Sequence, residues 1–260
     1  MQNSRRVNEN IGYWLIGISL VMWVLLLFNP AMSHHSAHHS HSQMASSITT
    51  LVQLWSGMMW SWLLMVLAMM LPKLIAPIQY IYRCSFKKRQ FRSAILFIAG
   101  YTIIWTIIGG LMNIALIVLN QVMRGSLIPV AVAGIIVLAW QFSPVKQKFL
   151  NRSHGHRALS VFGRAADRDV LVFGFQHGLW CVGSGWIIMF FPMLLPHGFW
   201  HYLAMAMVAF VMISEHMERP QVPEWRIRTG MKLLKIISAQ TKIRLSSVIA
   251  LRTTEAIRNK

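Results

Sequence analysis

The sequence predicts an all-α protein, a polytopic membrane helical bundle of about six transmembrane helices with both termini cytoplasmic. Three observations predict it. Of 260 residues, 55% are apolar and only 12% are charged, a balance outside the range of soluble domains. The apolar residues gather into blocks near the roughly 20 residues that cross a bilayer. The Lys and Arg residues fall between those blocks on alternate connections, so the formal charge of +18 reads as membrane topology. A nucleic-acid binder would instead gather its basic residues in one domain with aromatics interleaved, and none is expected to bind here.

The spans follow in order. The first runs from about Ile11 to Phe28 and is closed by Asn29 and Pro30. Preceded by Arg5 and Arg6 and lacking a small-residue cleavage site, it reads as an anchor helix, with Tyr13, Trp14 and Trp23 suited to the interfaces. The second covers about Leu51 to Leu71 and continues past Pro72 toward Tyr82; the third covers about Ala94 to Leu119 and holds the i, i+4 pair Tyr101 and Trp105. A short fourth span, about Leu127 to Phe142, precedes a basic connection from Ser143 to Arg168. The fifth, about Val170 to Leu195, turns at Pro196 to Gly198 into the sixth, about Phe199 to Ser214.

Orientation follows from counting cations. Every Lys and Arg except Arg124 falls on one side, which the positive-inside rule assigns to the cytoplasm. Residues 1–214 then form the membrane domain. Residues 31–50 form a periplasmic His-rich loop, and residues 215–260 a basic cytoplasmic tail whose amphipathic stretch near Met231 to Leu251 suits the membrane surface. The acids lie on the inner side with no carboxylate near mid-membrane, against a proton-driven pump. Cys84 and Cys181 fall in a basic connection and within a span, so no disulfide joins them.

The most informative stretch is Trp60 to Pro72, W-S-W-L-L-M-V-L-A-M-M-L-P. At about 100° per residue, Met58, Trp62, Met65, Met69 and Pro72 share one helical stripe. Pro72 lacks an N–H, so the Ala68 carbonyl loses its helical partner beside Met69 and must face protein, water or a ligand. Packing of sulfur and indole at a kinked interface accounts for the stripe equally simply.

Other soft donors recur. His177 and Cys181 stand at i, i+4 in the fifth span; Gly174, Gly178, Cys181 and Gly185 share a face that admits a close neighbour, with His177 one step round from it. An imidazole and a thiol so spaced can share one metal ion; a packed glycine seam with an inert cysteine is the alternative. His201, Met205, Met212 and His216 recur on one face of the sixth span. By depth, Met65, Met69, His177, Cys181 and Met212 all fall in the inner half of the bilayer. Thioether, thiolate and imidazole together select Cu(I) over Cu(II), Mg(II) or Ca(II). Outside, M-S-H-H-S-A-H-H-S-H-S-Q-M, residues 32 to 44, offers His34, His35, His38, His39 and His41 for reversible metal capture.

Trp62, Met65, Ala68, Met69, Met70 and Pro72 resemble the W-x-x-M-x-x-A-M-M-x-P signature of a family of metal-binding integral membrane proteins that includes a copper-delivery protein for a bacterial tyrosinase. Gln141, Ser143, Pro144 and Lys146 look like its Q-x-[ST]-P-x-K segment. His177, Gly178, Cys181, Gly183, Trp186 and Met189 look like its H-G-x-x-C-x-G-x-x-W-x-x-M segment, and Glu215 is similar to the acid that closes its last span. Phe149, Ser153 and Ser184 stand where the family would carry cysteine, so a buried site here leans on Met, His and one Cys.

The resemblance implies copper handling. The leading expectation is a bacterial inner-membrane metallochaperone or accessory factor. It collects copper at the His-rich loop, passes it to Met58, Met65, Met69, Met70, His177, Cys181 and Met212, and serves a cuproenzyme or membrane-complex client. A transporter of copper or another soft ion is the second expectation, and a structural or assembly subunit without metal the third. An enzyme is not expected, for no nucleophile with a base, paired carboxylates or nucleotide loop is found.

Overall fold

The computed structural model describes residues 2–28, 48–123, 127–196, 198–225, 234–242 and 246. The His-rich loop and most of the tail lie outside them, as does Arg124; within the tail, residues 234–242 are helical. The described elements are all helical. They are α1 (Gln2–Leu27), α2 (Ile48–Met70), a 3-10 turn (Leu71–Leu74), α3 (Ile75–Cys84), α4 (Gln90–Val122), α5 (Ile128–Phe142), α6 (Pro144–Ser153), α7 (Gly163–Met193) and α8 (Phe199–His216).

Among the described residues four stretches are long and apolar enough to cross a membrane: Asn10–Leu27, Trp55–Cys84, Gln90–Val122 and Gly163–Met193. The pair α5 and α6, bent by 63°, makes a fifth if counted as one span. The expected sixth span, about Phe199 to Ser214, lies in the 18-residue helix α8, which is not among these stretches, so the described residues offer four or five candidate spans and not six. The outer surface is apolar in the way lipid requires, with Leu20, Ile107, Leu111, Ile135 and Leu138 all exposed.

The central pairing is α4 against α7, and glycine permits it. A Cβ on Gly174 would stand 2.3 Å from the Phe97 oxygen, and one on Gly100 would stand 2.6 Å from the Leu171 oxygen. Each helix thus presses its backbone into the gap left by the other's missing side chain, which is how helices associate where lipid removes the hydrophobic incentive. Around this seam Phe97, Tyr101 and Trp105 of α4 and Phe173, His177 and Cys181 of α7 are buried.

Of the partners open to the Ala68 carbonyl beside Pro72, the structure supplies protein: its oxygen accepts a 2.6 Å hydrogen bond from Ser19 Oγ of α1. A hydroxyl from the first helix therefore closes the break. Lys73, just beyond Pro72, is a cation that is only 3% exposed.

The basic connection Ser143 to Arg168 is also more ordered than expected, because its first part is helix α6. Ser143 is the N-cap, its side chain accepting from Val145 N at 3.1 Å, and Pro144 begins the helix. Serine at the cap followed by proline at the first position starts a helix readily, since that proline forgoes only an N–H that would be unpaired. Lys146, Gln147, Leu150 and Ser153 are the buried side of α6. At the same end Arg89 and Arg92 hold Asp167 at 2.6 and 2.7 Å, joining the two basic connections.

Candidate metal centre

Cys181 lies at the middle of the α4–α7 seam with no measurable exposure. Two donors converge on its sulfur: Tyr101 Oη at 3.1 Å and Lys73 Nζ at 3.3 Å. Tyr101 arrives from α4, while Lys73 arrives from the 3-10 turn one helical turn beyond Met69 and Met70. Both cysteines are free thiols, Cys84 being half-buried.

One turn before Cys181, His177 is 2% exposed. Phe97, Phe173 and Tyr101 surround its ring at centroid distances of 5.7, 6.2 and 6.0 Å, and the His216 ring meets it edge-on at 5.8 Å. Its Nε2 has no hydrogen-bond partner among the described residues. A buried polar atom left this way costs about 1–3 kcal/mol, so it marks a place where a water, an ion or a ligand belongs.

His216 stacks on His154 at 4.9 Å, and Ser153 Oγ stands 3.5 Å from His216 Nδ1. His154 has no such vacancy: Nδ1 faces the Leu150 oxygen at 2.8 Å and Nε2 the His216 oxygen at 2.9 Å. His201 uses Nδ1 on the Pro192 oxygen at 2.8 Å; since a carbonyl only accepts, that nitrogen carries the proton.

Of the sulfur stripe, Met65 is 3% exposed and Met69 and Met70 are 1% exposed, whereas Met58 is half-buried. Trp62 fixes the helix that carries them. Its indole donates to the Trp105 oxygen at 2.8 Å and fills the space over Gly109, where a Cβ would come within 2.0 Å of the ring nitrogen. Met212 of α8 is buried with its terminal carbon against Gly185, one turn beyond Cys181. Met65, Met69, Met70, Cys181 and Met212 share one buried apolar core. His34, His35, His38, His39 and His41 lie outside the described residues. Among the described residues no group of three or more His, Cys, Asp or Glu is disposed to hold a metal ion. A metal bound here would therefore need thioethers to complete its ligand set.

Two parts of the centre were missed in the sequence. Lys73 looked like one more cation of a basic connection, and Tyr101 like half of an aromatic packing pair. The network around Glu215 was named only by likeness: Lys146 Nζ lies 2.7 Å from Glu215 Oε2 and 2.6 Å from Gln141 Oε1, and Gln141 Nε2 also donates to Glu215. This joins the ends of α5, α6 and α8. The three positions where cysteine was expected face the same region. Phe149 fills the space over Gly183, Ser153 adjoins His216, and Ser184 donates to the Cys181 oxygen at 2.9 Å.

The Trp62 to Pro72 stretch, the Gln141 to Lys146 stretch, the His177–Cys181 turn and Glu215 all fall within residues 59–236, which match the family described as PpoB2: Copper chaperone. The chain belongs to this copper chaperone family. No curated protein and no solved structure matches it. The family is one of chaperones and not of catalysts, and it makes copper the cargo. The donors of this copper chaperone suit that cargo: thioether, thiol and imidazole are the softer ligands, and carboxylates are nearly absent from its core.

Proposed function

We propose that this copper chaperone holds Cu(I) between α2 and α7 and delivers it to a cuproenzyme client. Met65, Met69 and Met70 supply thioethers, Cys181 a thiolate and His177 an imidazole, with Met58 and Met212 at either side of that set. The observation that carries the reading is the unpartnered Nε2 of His177, buried one turn from Cys181. A soft cation would satisfy that lone pair and replace the hydrogen bonds now made to the cysteine sulfur. His34, His35, His38, His39 and His41 would collect metal from the periplasm. We place the chain in a bacterial inner membrane with six spans and both termini in the cytoplasm. The junction of Asp167 with Arg89 and Arg92 supports this by keeping two basic connections at one end.

Elemental analysis of the full chain purified in detergent tests the proposal. The wild-type chain is expected to carry copper in near-stoichiometric amount. Met65→Leu/Met69→Leu and Cys181→Ser are expected to lose it while remaining folded, and removal of residues 32 to 44 to slow its acquisition without emptying the buried site. Copper content unchanged in both buried-site variants would refute the ligand set.

A further inference from the structure

A cleft of about 200 Å³ opens beside His177, between the start of α7 and the segment that follows α6. Arg152, His156, Arg157, Gln176 and Trp180 line it with His177. The Arg152 guanidinium lies 4.9 Å over the Trp180 ring, which holds that charge at the wall. His156 is exposed and Arg157 half-buried. None of the lining residues is acidic. The acid nearest along the chain, Asp169, accepts from the Ser160 N–H at 3.1 Å and the Ser160 hydroxyl at 2.5 Å and lies within electrostatic reach of Arg157 and Arg168, so Arg152 carries the larger part of the cleft's unanswered charge.

This lining is unfavourable for a bare metal cation and favourable for an anion. Two guanidiniums in a concave, partly apolar wall present paired donors to carboxylates. Focusing of the field by such a cleft raises the arrival rate of an opposite charge by roughly 10–1000-fold and lowers that of a like charge. Yet the cleft reaches His177, whose unpartnered nitrogen is the feature on which the copper reading rests. Copper can use this route only in a form that the arginines attract.

We propose that the cleft binds small carboxylate-bearing copper ligands and that copper is exchanged between His177 and such an anionic complex there. This deepens the copper reading above and rests on it. Arg152 and Arg157 hold the carboxylates, Trp180 and Phe173 provide the apolar wall, and His177 is the protein ligand that meets the metal. No electron is transferred: one ligand to Cu(I) replaces another.

The test uses two chelators that share one copper-binding unit and differ in two carboxylates. The salt dependence and the arginine variant separate the effect of charge from that of partitioning into detergent. Bicinchoninate is 2,2′-biquinoline carrying two carboxylates, and the parent biquinoline is neutral. With the full chain in neutral detergent and loaded with Cu(I), the coloured chelate is followed by stopped flow. Bicinchoninate is expected to withdraw copper at least ~10-fold faster than biquinoline, with the ratio falling as salt is added. In Arg152→Gln/Arg157→Gln the ratio should approach one while melting and copper content stay unchanged. Equal rates in the wild-type chain, or an undiminished ratio in the variant, would overturn the proposal. Calorimetric titration of bicinchoninate into the copper-free chain gives an independent readout. Saturable binding lost in the double variant supports the cleft, and no binding refutes it. A chain that takes up no copper but binds bicinchoninate in this way would sink the copper reading and leave the anion site standing.

Discussion

Lys73 Nζ and Cys181 Sγ face each other at 3.3 Å, with the lysine 3% exposed and the cysteine fully enclosed. If Cys181 is a copper ligand as proposed, the Lys73 side chain stands in the metal's way at that sulfur. Lys73→Met removes this competitor and adds a thioether. The variant is expected to retain copper against a chelator roughly tenfold better than the wild-type chain, a difference of about 1.4 kcal/mol. Competition titration with a Cu(I) indicator reads this directly, and weaker retention would mean that Lys73 organises the donors instead of opposing the metal.

The ion pair of Lys146 with Glu215 is almost wholly buried, at 1% and 2% side-chain exposure. Breaking such a pair from one side strands a charge and costs about 3–5 kcal/mol. Glu215→Gln should therefore lower the apparent melting temperature sharply, although Gln141 keeps one bond to the lysine. Lys146→Met/Glu215→Leu removes both charges and should recover most of the loss. A double variant as unstable as the single one would show that the network does more than neutralise itself.

Gly100 and Gly17 make a matched comparison. A Cβ at position 100 meets the Leu171 oxygen at 2.6 Å, whereas one at position 17 meets nothing within 4 Å. Backbone cannot swing aside as a side chain can, so Gly100→Ala should cost about 1–3 kcal/mol. Gly17→Ala should be neutral or gain up to about 1 kcal/mol from helix propensity. Thermal melts in one detergent decide it; equal melting temperatures would mean that α4 and α7 can slide apart without penalty.

The helices were legible because lipid imposes long apolar runs, and Gly174 and Gly178 announced the close crossing through their spacing. The burial of Met65 and Met69 followed from the stripe that they share with Trp62. Pairings across distant segments were not legible. Lys73 stands alone in an apolar run before Arg83, but its pairing with Cys181 depends on the 3-10 turn Leu71–Leu74 pointing it at α7, which its own neighbours in sequence do not reveal. Ser143 to Ser153 read as a connection because its polar residues hide the cap and the proline that start α6. The cleft beside His177 needed two segments brought side by side, and periodicity along one helix carries no such information.

Ser19, whose hydroxyl closes the Ala68 carbonyl, lies forty residues before the region matched to the family begins. The sulfur-bearing helix is therefore not a self-contained module. Transplanting residues 59 onward into another scaffold would leave an open backbone oxygen in hydrocarbon next to Met69, a hard oxygen donor beside soft ones. A hybrid would then present its metal with a different coordination chemistry even though every sulfur had been kept. Any chimera built from this chain has to carry the first helix, or a hydroxyl standing in for it, along with the motif.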